Sequence, residues 1–399
     1  MIIEILDKKD CCGCNACKNI CPVNCIGMKY DTEGFLFPIV DNSKCINCNA
    51  CIEVCPSIKQ PILNNLLKNP EIIAAYSKDN KNRINSTSGG MFTEIAKQVL
   101  KEKGVVFGAK YNKNFKVEHS FIENIKNLEE LRQSKYVQSN MGDIYKKVKE
   151  FLESKRKVLF AGTPCHIAAL KNFLKKDYDN LILVDFLCRG VISPKAYEQF
   201  LKSLENEYNS KIKIVWFKNK DKGWHKFSTK IIFENGKEYL KDRYHDVYMR
   251  GYLEGNLYIR KSCHNCKYKT LPRNSDVSLG DFWGIEQFKN HLDQDKGTSI
   301  FMINSLKGRE VFNKIKDNLI YEKATLKDVY RGNSALTVSA GLNDKIKKDR
   351  KEFFDNYLKE DFSELVERIL KKSFKEKFIL ILRKIINKIK RVVKKIIFK

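Results

Sequence analysis

Residues 11–22 read Cys11-Cys12-Gly13-Cys14-Asn15-Ala16-Cys17-Lys18-Asn19-Ile20-Cys21-Pro22, and residues 45–56 read Cys45-Ile46-Asn47-Cys48-Asn49-Ala50-Cys51-Ile52-Glu53-Val54-Cys55-Pro56. Both carry the run C-x2-C-x2-C-x3-C-P. Three thiolates at that spacing wrap one [4Fe-4S] cube, and the fourth, beyond a proline-directed turn, reaches the other cube. The repeat predicts a small ferredoxin-like domain over residues 1–62 with two clusters. The first is expected on Cys11, Cys14, Cys17 and Cys55, the second on Cys45, Cys48, Cys51 and Cys21. Zinc fits an interleaved octet poorly, because it takes its four ligands in one tetrahedral set. Cys12 and Cys25 fall outside the octet; the second block has no doubled cysteine and fixes the register, so the spare thiols are expected as packing residues. The apolar and turn residues from Tyr30 to Val40 read as a hairpin between the blocks.

Working outward, 399 residues exceed what one core usually needs, so one or two further domains follow. Fourteen cysteines behind an amino terminus with no basic-then-apolar leader point to metal thiolates in a reducing, cytoplasmic setting rather than to disulfides. A formal charge of +27 raises nucleic acid as a partner, but its distribution speaks against that. Lys371 to Lys399 holds twelve Lys or Arg and one Glu, which is +11 of the excess. Within it Phe374, Phe378, Leu382, Ile385, Ile389, Val392 and Ile396 recur at three- or four-residue steps. That pattern predicts a basic amphipathic helix, suited to an anionic membrane surface at the inner face of the cell membrane or to a protein groove. Charges interrupt every apolar run, so it is not a membrane span.

After Pro56, the stretch Ser57 to Pro70 shows no strand pattern and is broken by Pro61 and Pro70, which predicts a linker. From Glu71 to Asn304 short β-rich runs alternate with amphipathic stretches, the pattern of a mixed α/β domain. Strands are predicted at Ile72–Tyr76, Val105–Ala109, Lys157–Ala161, Leu181–Phe186, Ile212–Phe217 and Ser299–Ile303, and helices at Met91–Lys103, Ile144–Ser154, His166–Lys175 and Lys195–Tyr208. Asn235-Gly236 marks a hairpin. Neither GxGxxG nor GxxxxGK[ST] occurs, so neither a Rossmann fingerprint nor a P-loop is supported. The expected organisation is the ferredoxin-like domain at 1–62, a larger α/β domain at 71–345 and a helical basic tail at 346–399.

Four cysteines remain. Cys165 follows Ala161-Gly162-Thr163-Pro164 at a helix start, where the dipole and free N–H groups favour a thiolate. Cys188 follows the strand ending at Phe186, and Cys263-x2-Cys266 lies in a Lys-rich turn. Thiols at the carboxyl ends of two strands, with a CxxC pair, suit a third [4Fe-4S] cluster at the sheet edge where α/β folds place ligands. A structural zinc or unrelated thiols fit the same residues. A Cys165–His166 nucleophilic pair is disfavoured, because neighbouring side chains at a helix start diverge.

Ser86-Thr87-Ser88-Gly89-Gly90, Ser134-Lys135-Tyr136-Val137-Gln138-Ser139, Gly162-Thr163-Pro164-Cys165, Cys188-Arg189-Gly190, Cys263-His264-Asn265-Cys266 and Leu279-Gly280-Asp281-Phe282-Trp283-Gly284 occur in that order. Together they resemble the beta-subunit family of coenzyme F-420 hydrogenase/dehydrogenase, over about Glu71 to Asn304. The resemblance implies FAD, a [4Fe-4S] cluster and, in some members, the deazaflavin F-420 as hydride carrier. Ser88, Gly89 and Gly90 precede the helix at Met91, where glycine-permitted close approach and helix N-terminal amides suit the FAD diphosphate; a plain cap and turn explains the same residues. With the resemblance, Lys135, Tyr136 and Gln138 are expected against the flavin ring, Gly162 and Thr163 among the cofactor contacts, and Asp281 near flavin and substrate. Asp281 and Lys135 are the catalytic candidates; a buried Tyr and an exposed Lys are the plain alternative. His225 reads as a surface or packing histidine.

The function expected is an iron-sulfur flavoprotein oxidoreductase that splits a hydride's electron pair through FAD into single electrons for the clusters, with F-420 a candidate substrate. Its partner is then an external electron carrier or a redox subunit. Two other readings compete: a non-catalytic electron-transfer subunit, and a membrane-associated reductase of surface-polysaccharide or cell-envelope metabolism.

Overall fold

The structure is a computed structural model that describes residues 3–371. In the cysteine-rich module, β1 (Ile26–Tyr30) and β2 (Leu36–Val40) form the antiparallel hairpin, which begins earlier than its sequence signal. One short helix, Ala16–Ile20 or Ala50–Glu53, sits in each cysteine block. Each starts behind an asparagine in the left-handed region, Asn15 and Asn49, both at φ 61°. Asparagine visits that region more readily than most side chains. The sequence repeat is thus also a repeat of local backbone.

Eleven further strands follow: β3 (Leu66–Ser77), β4 (Val105–Tyr111), β5 (Val117–Ile122), β6 (Val158–Ala161), β7 (Leu181–Phe186), β8 (Ile212–Asn219), β9 (Ser228–Phe233), β10 (Glu238–Asp242), β11 (Val277–Asp281), β12 (Ser299–Ser305) and β13 (Leu319–Ala324). Eight of them make one sheet in the order β13-β3-β12-β11-β7-β6-β4-β5. Its middle strands β4, β6, β7 and β11 run parallel, with antiparallel pairs at both edges. Parallel strands are covered on both faces and so read as unbroken apolar runs. Val105-Val106-Phe107, Val158-Leu159-Phe160 and Leu181-Ile182-Leu183-Val184 are all buried. Met91–Lys101 and Leu306–Ile315 cover one face; Ile144–Glu153 and Pro164–Leu174 cover the other, joined there by Ala16 and Val54 of the cysteine module.

The linker reading of Ser57 to Pro70 is corrected in its second half, because β3 starts at Leu66 and runs through Pro70. A proline has no N–H for a ladder and is tolerated at irregularities. The β12–β3 ladder shifts register here, between the Ile303–Glu71 and Ser305–Leu66 pairs, so Pro70 falls where pairing is interrupted.

β8, β9 and β10 form a separate antiparallel sheet, with the turn at Asn235-Gly236 as read from the sequence and Gly236 at φ 80°. Helices Pro194–Tyr208, Val247–Leu253, Asp344–Asn356 and Phe362–Leu370 pack on it in one aromatic core containing Phe200, Phe217, Tyr248, Tyr258, Phe353 and Phe362. The expected tail unit 346–399 is therefore divided. Its first part is core, and it also reaches the cysteine module, where Arg350 Nη2 meets Glu33 Oε2 at 2.6 Å and the Tyr357 hydroxyl donates to Thr32 O at 3.1 Å. The amphipathic stretch Phe374 to Phe398 lies outside the described residues. Among the described residues no helix is long and apolar enough to cross a membrane.

Candidate redox site

In the cysteine module, Cys11, Cys12, Cys14, Cys17 and Cys55 line one pocket, together with Ile3, Leu6, Met28 and Pro38. Burial and neighbouring thiols push Cys55 up to about 11 and Cys17 higher still. Such thiols keep their protons until a metal displaces them. Cys17, Cys21, Cys25, Cys51 and Cys55 share one apolar cluster, with Cys45 packed against it, while Cys48 is exposed. A cube spreads its thiolates wider than a single ion does, so an open arrangement is what the chemistry requires.

The two spare cysteines are not remote packing residues. Cys25 Sγ lies 3.4 Å from Cys21 Sγ and also interacts with the Cys45 thiol. The Cys12 thiol interacts with the thiols of both Cys14 in the module and Cys165 in the α/β body. Neither contact is legible from spacing, since each depends on how the two blocks and the body dock.

Cys165, Cys188, Cys263 and Cys266 come from three places in the chain and bear on one another. Cys165 starts the helix after β6 and Cys188 follows β7, its parallel neighbour. Cys263 and Cys266 lie in and just after the 3-10 turn Lys261–Asn265. Burial pushes Cys263 up to about 12, with Cys188 and Cys266 adding to it, and Cys266 likewise raises Cys165 and Cys188. Contact with the Cys12 thiol, and then burial, holds the Cys165 thiol well above its ordinary value. His166 turns elsewhere, edge-on to His119 at 5.2 Å, and gives Cys165 no base.

Beyond these thiols, Tyr252 leads toward a second group. Its hydroxyl donates to Gly190 O at 3.0 Å, and Cys188 and Cys263 bear on its ionisation. Its ring meets Tyr136 edge-on at 5.7 Å. Tyr136 in turn feels Lys218 and Asp281. Asp281 ends β11, and Phe282 N donates to Thr298 O, whose oxygen also accepts from Ser88 Oγ at 2.9 Å. The Ser86–Gly90 turn, Tyr136 and Asp281 therefore sit at one end of the main sheet. Gly89 packs so closely on β3 and β12 that a Cβ would strike Ala75 O, and Gly90 caps Met91–Lys101 at φ 92°.

Around that turn lie buried cations that sequence reasoning missed. Lys220 donates to Arg83 O, Ser88 O and Lys296 O at 2.8, 2.6 and 2.7 Å, and burial lowers its pKa to about 7. Arg83 bonds Gly297 O and Gln294 Oε1, but its Nη2 is buried without a partner, as is Arg132 Nε. Neither Arg83 nor Lys220 forms an ion pair among the described residues. Lys218, at a bulge in β8 with φ 55°, pairs with Asp281. Trp224 stacks on Trp283 at 4.4 Å. In a chain with 75 Lys and Arg, no single cation stands out by sequence.

Other expected contacts lie elsewhere. Lys135 Nζ donates to the Glu130 and Arg132 carbonyls at 3.1 and 2.5 Å, burial brings its pKa to about 7, and it does not join Asp281. Gln138 faces the cysteine module through Cys12 O and Gly13 O, both at 3.3 Å. Gly162 and Thr163 stand by the thiols, with Thr163 Oγ1 3.1 Å from Cys165 Sγ. His225 bonds Asp293 at 2.8 Å near the surface.

Models of known families match three stretches: the 4Fe-4S dicluster domain at residues 10–58, the N-terminal part of the coenzyme F420 hydrogenase/dehydrogenase beta subunit at 72–146, and the C-terminal part of that subunit at 155–329. No curated protein sequence matches. Among solved structures, a chain of the xenon-derivatised F420-reducing [NiFe] hydrogenase complex from Methanosarcina barkeri is similar at 20% identity, over 75% of this chain and 93% of its own, with a TM-score of 0.45. With both halves of the subunit in order behind a cysteine octet, the chain belongs to the coenzyme F420 hydrogenase/dehydrogenase beta-subunit family, carries a 4Fe-4S dicluster domain, and is an iron-sulfur electron-transfer protein.

Proposed function

We propose that the chain is an iron-sulfur flavoprotein oxidoreductase, with FAD at the Ser86–Gly90 turn and a third [4Fe-4S] cluster on Cys165, Cys188, Cys263 and Cys266. The observation that carries this is the set of buried cations at the turn. Arg83 and Lys220 form no ion pair among the described residues, Asp293 and Asp281 bearing on them only from a distance, and a buried charge left without a direct partner is expensive. A diphosphate supplies that charge, and Arg83 Nη2 and Arg132 Nε supply donors not otherwise used. FAD, when bound, exchanges an electron pair with a hydride donor or acceptor and single electrons with clusters.

The chain's own residues do the rest. Lys220 contributes charge rather than a hydrogen bond, because its three N–H groups are spent on carbonyls. Asp281 is oriented by Lys218 and Trp224, and the Trp224–Trp283 stack keeps water from its buried side. Tyr136 and Tyr252 fill the space between that carboxylate and Cys188. The dicluster module then exchanges electrons with an external carrier or a partner subunit. F420 is the leading substrate candidate, on the family's name alone. The +11 charge of residues 371–399 favours an anionic membrane as an additional contact, and loss of liposome flotation on deleting them tests that.

Anaerobic purification with iron, sulfide and flavin quantified together tests the reading. About twelve irons and one FAD per chain support it, about eight irons remove the third cluster, and no flavin removes the flavoprotein. Turnover with F420, nicotinamides or ferredoxin separates an enzyme from a purely electron-transferring subunit.

A further inference from the structure

Arg260 is the largest charged side chain held fully inside the molecule, only 1% exposed. It reaches out of the α/β body into the cysteine module. Nε donates to Cys11 O at 2.7 Å, Nη2 to Leu36 O at 2.9 Å and Nη1 to Gln138 Oε1 at 2.9 Å. Gln138 completes the clasp through Cys12 O and Gly13 O. The guanidinium carbon lies 5.2 and 4.4 Å from the ring centres of Phe35 and Phe37. At Gly13, φ 68°, a Cβ would lie 2.7 Å from Arg260 Nη1, so the loop closes around the cation.

Every one of these partners is neutral, and Arg260 forms no ion pair among the described residues. A cation buried so deeply calls for an anion close by. The groups beside it that can become anionic are thiols: its Nε is bonded to the Cys11 carbonyl, Gln138 ties its Nη1 to the Cys12 and Gly13 carbonyls, and the Cys263 N–H donates to Arg260 O at 2.9 Å. Around the second block, by contrast, the basic side chains Lys44 and Lys59 are exposed and already paired with Asp41 and Glu53. The two halves of the octet are alike in sequence and unlike in field.

We propose that Arg260 is a positioning residue that acts as the built-in counter-cation of the cluster on Cys11, Cys14, Cys17 and Cys55, raising its reduction potential above that of the other dicluster site. Reduction adds one electron, hence one negative charge, to that cluster, and a fixed positive charge in a low-dielectric surrounding stabilises the reduced form. Electrons entering at the Cys45, Cys48, Cys51 and Cys21 site, whose Cys48 is exposed, then run downhill to the buried cluster, beside the segment that carries Cys263. The direction rests on the electron-relay reading above; the difference in potential needs only the dicluster domain.

Potentiometric titration followed by electron paramagnetic resonance on the full chain tests this, with iron content as the control. The native protein is expected to show two separated one-electron dicluster steps. In Arg260→Gln the higher one falls by at least tenfold in its reduced-to-oxidised ratio, about 59 mV for one electron, and the lower one stays. Arg260→Lys, which keeps the charge and loses the fork, keeps most of the separation. An unmoved higher step in Arg260→Gln with iron intact overturns the proposal, as does an equal shift of both steps. If Arg260→Gln loses iron, Arg260→Lys decides: a retained separation supports the proposal and a tenfold fall sinks it. A missing third cluster or flavin leaves these readings unchanged, so failure of the wider function is seen separately.

Discussion

The indole N–H of Trp224 donates to Oδ1 of Asp281 at 2.8 Å, and Oδ2 of the same carboxylate takes the Lys218 ammonium. Both charged side chains are nearly out of water, at 4% exposure for Lys218 and 13% for Asp281. Burial pulls Lys218 down, yet Asp281 and Tyr136 hold it net above its ordinary value. Asp281→Asn strands that ammonium and is expected to cost about 3–5 kcal/mol in anaerobic denaturant unfolding. Trp224→Phe removes one hydrogen bond and costs about 1 kcal/mol. Equal effects of the two would mean that Asp281 is not the anion on which Lys218 depends.

Flavin retention separates the cations at the Ser86–Gly90 turn from the iron sites. Arg83→Met and Lys220→Met are each expected to weaken FAD binding about tenfold or more, since a charge-assisted contact is worth about 1.5–3 kcal/mol. Iron content stays at the native level in both. Fluorescence titration of the flavin-stripped protein reads the first quantity and colorimetric iron the second.

The same lysine predicts a pH dependence. Burial places Lys220 at about 7, below the ordinary lysine value, so the flavin-free protein loses this positive charge as pH rises through about 7. A bound diphosphate favours the protonated form and raises that pKa. FAD affinity should therefore be level below pH 7 and fall with rising pH above it, by at most tenfold per unit for one linked proton. Dissociation constants at pH 6.5, 7.5 and 8.5 check the sign. Lys220→Arg, which does not titrate there, should flatten the slope.

Cysteine replacement distinguishes ligands from neighbours. Cys188→Ala and Cys266→Ala are expected to lower iron from about twelve to about eight per chain, and Cys11→Ser to disturb the dicluster signals. Cys12→Ser, although its thiol touches Cys14 and Cys165, should keep all the iron. Loss of a cluster in Cys12→Ser but not in Cys11→Ser would reverse the register read from the second block.

Much of the fold was legible because it rests on local patterns. The parallel strands β4, β6 and β7 show as apolar runs, and Met91–Lys101 shows its buried face at helical spacing. The sequence marks only Ile72–Tyr76 of β3, because Pro70 argues against a strand, and the register shift on β12 shows how the ladder accommodates it. The expected tail boundary at 346 cuts through Asp344–Asn356, because the burial of that helix and of Phe362–Leu370 comes from a core assembled by Pro194–Tyr208 and β8–β10.

Spacing by itself determined that this protein carries a cysteine octet of the dicluster kind, since C-x2-C-x2-C-x3-C-P sets ligand geometry within a dozen residues of backbone. It also marked the two strand ends and the CxxC turn whose thiols come together. Tertiary structure alone decided where Cys12 and Gln138 point, which of many cations are buried, and that Arg260 and Lys220 form no ion pair among the described residues. The physical reason is that burial and electrostatic pairing are properties of what docks against a side chain, and those partners lie tens to hundreds of residues away along the chain.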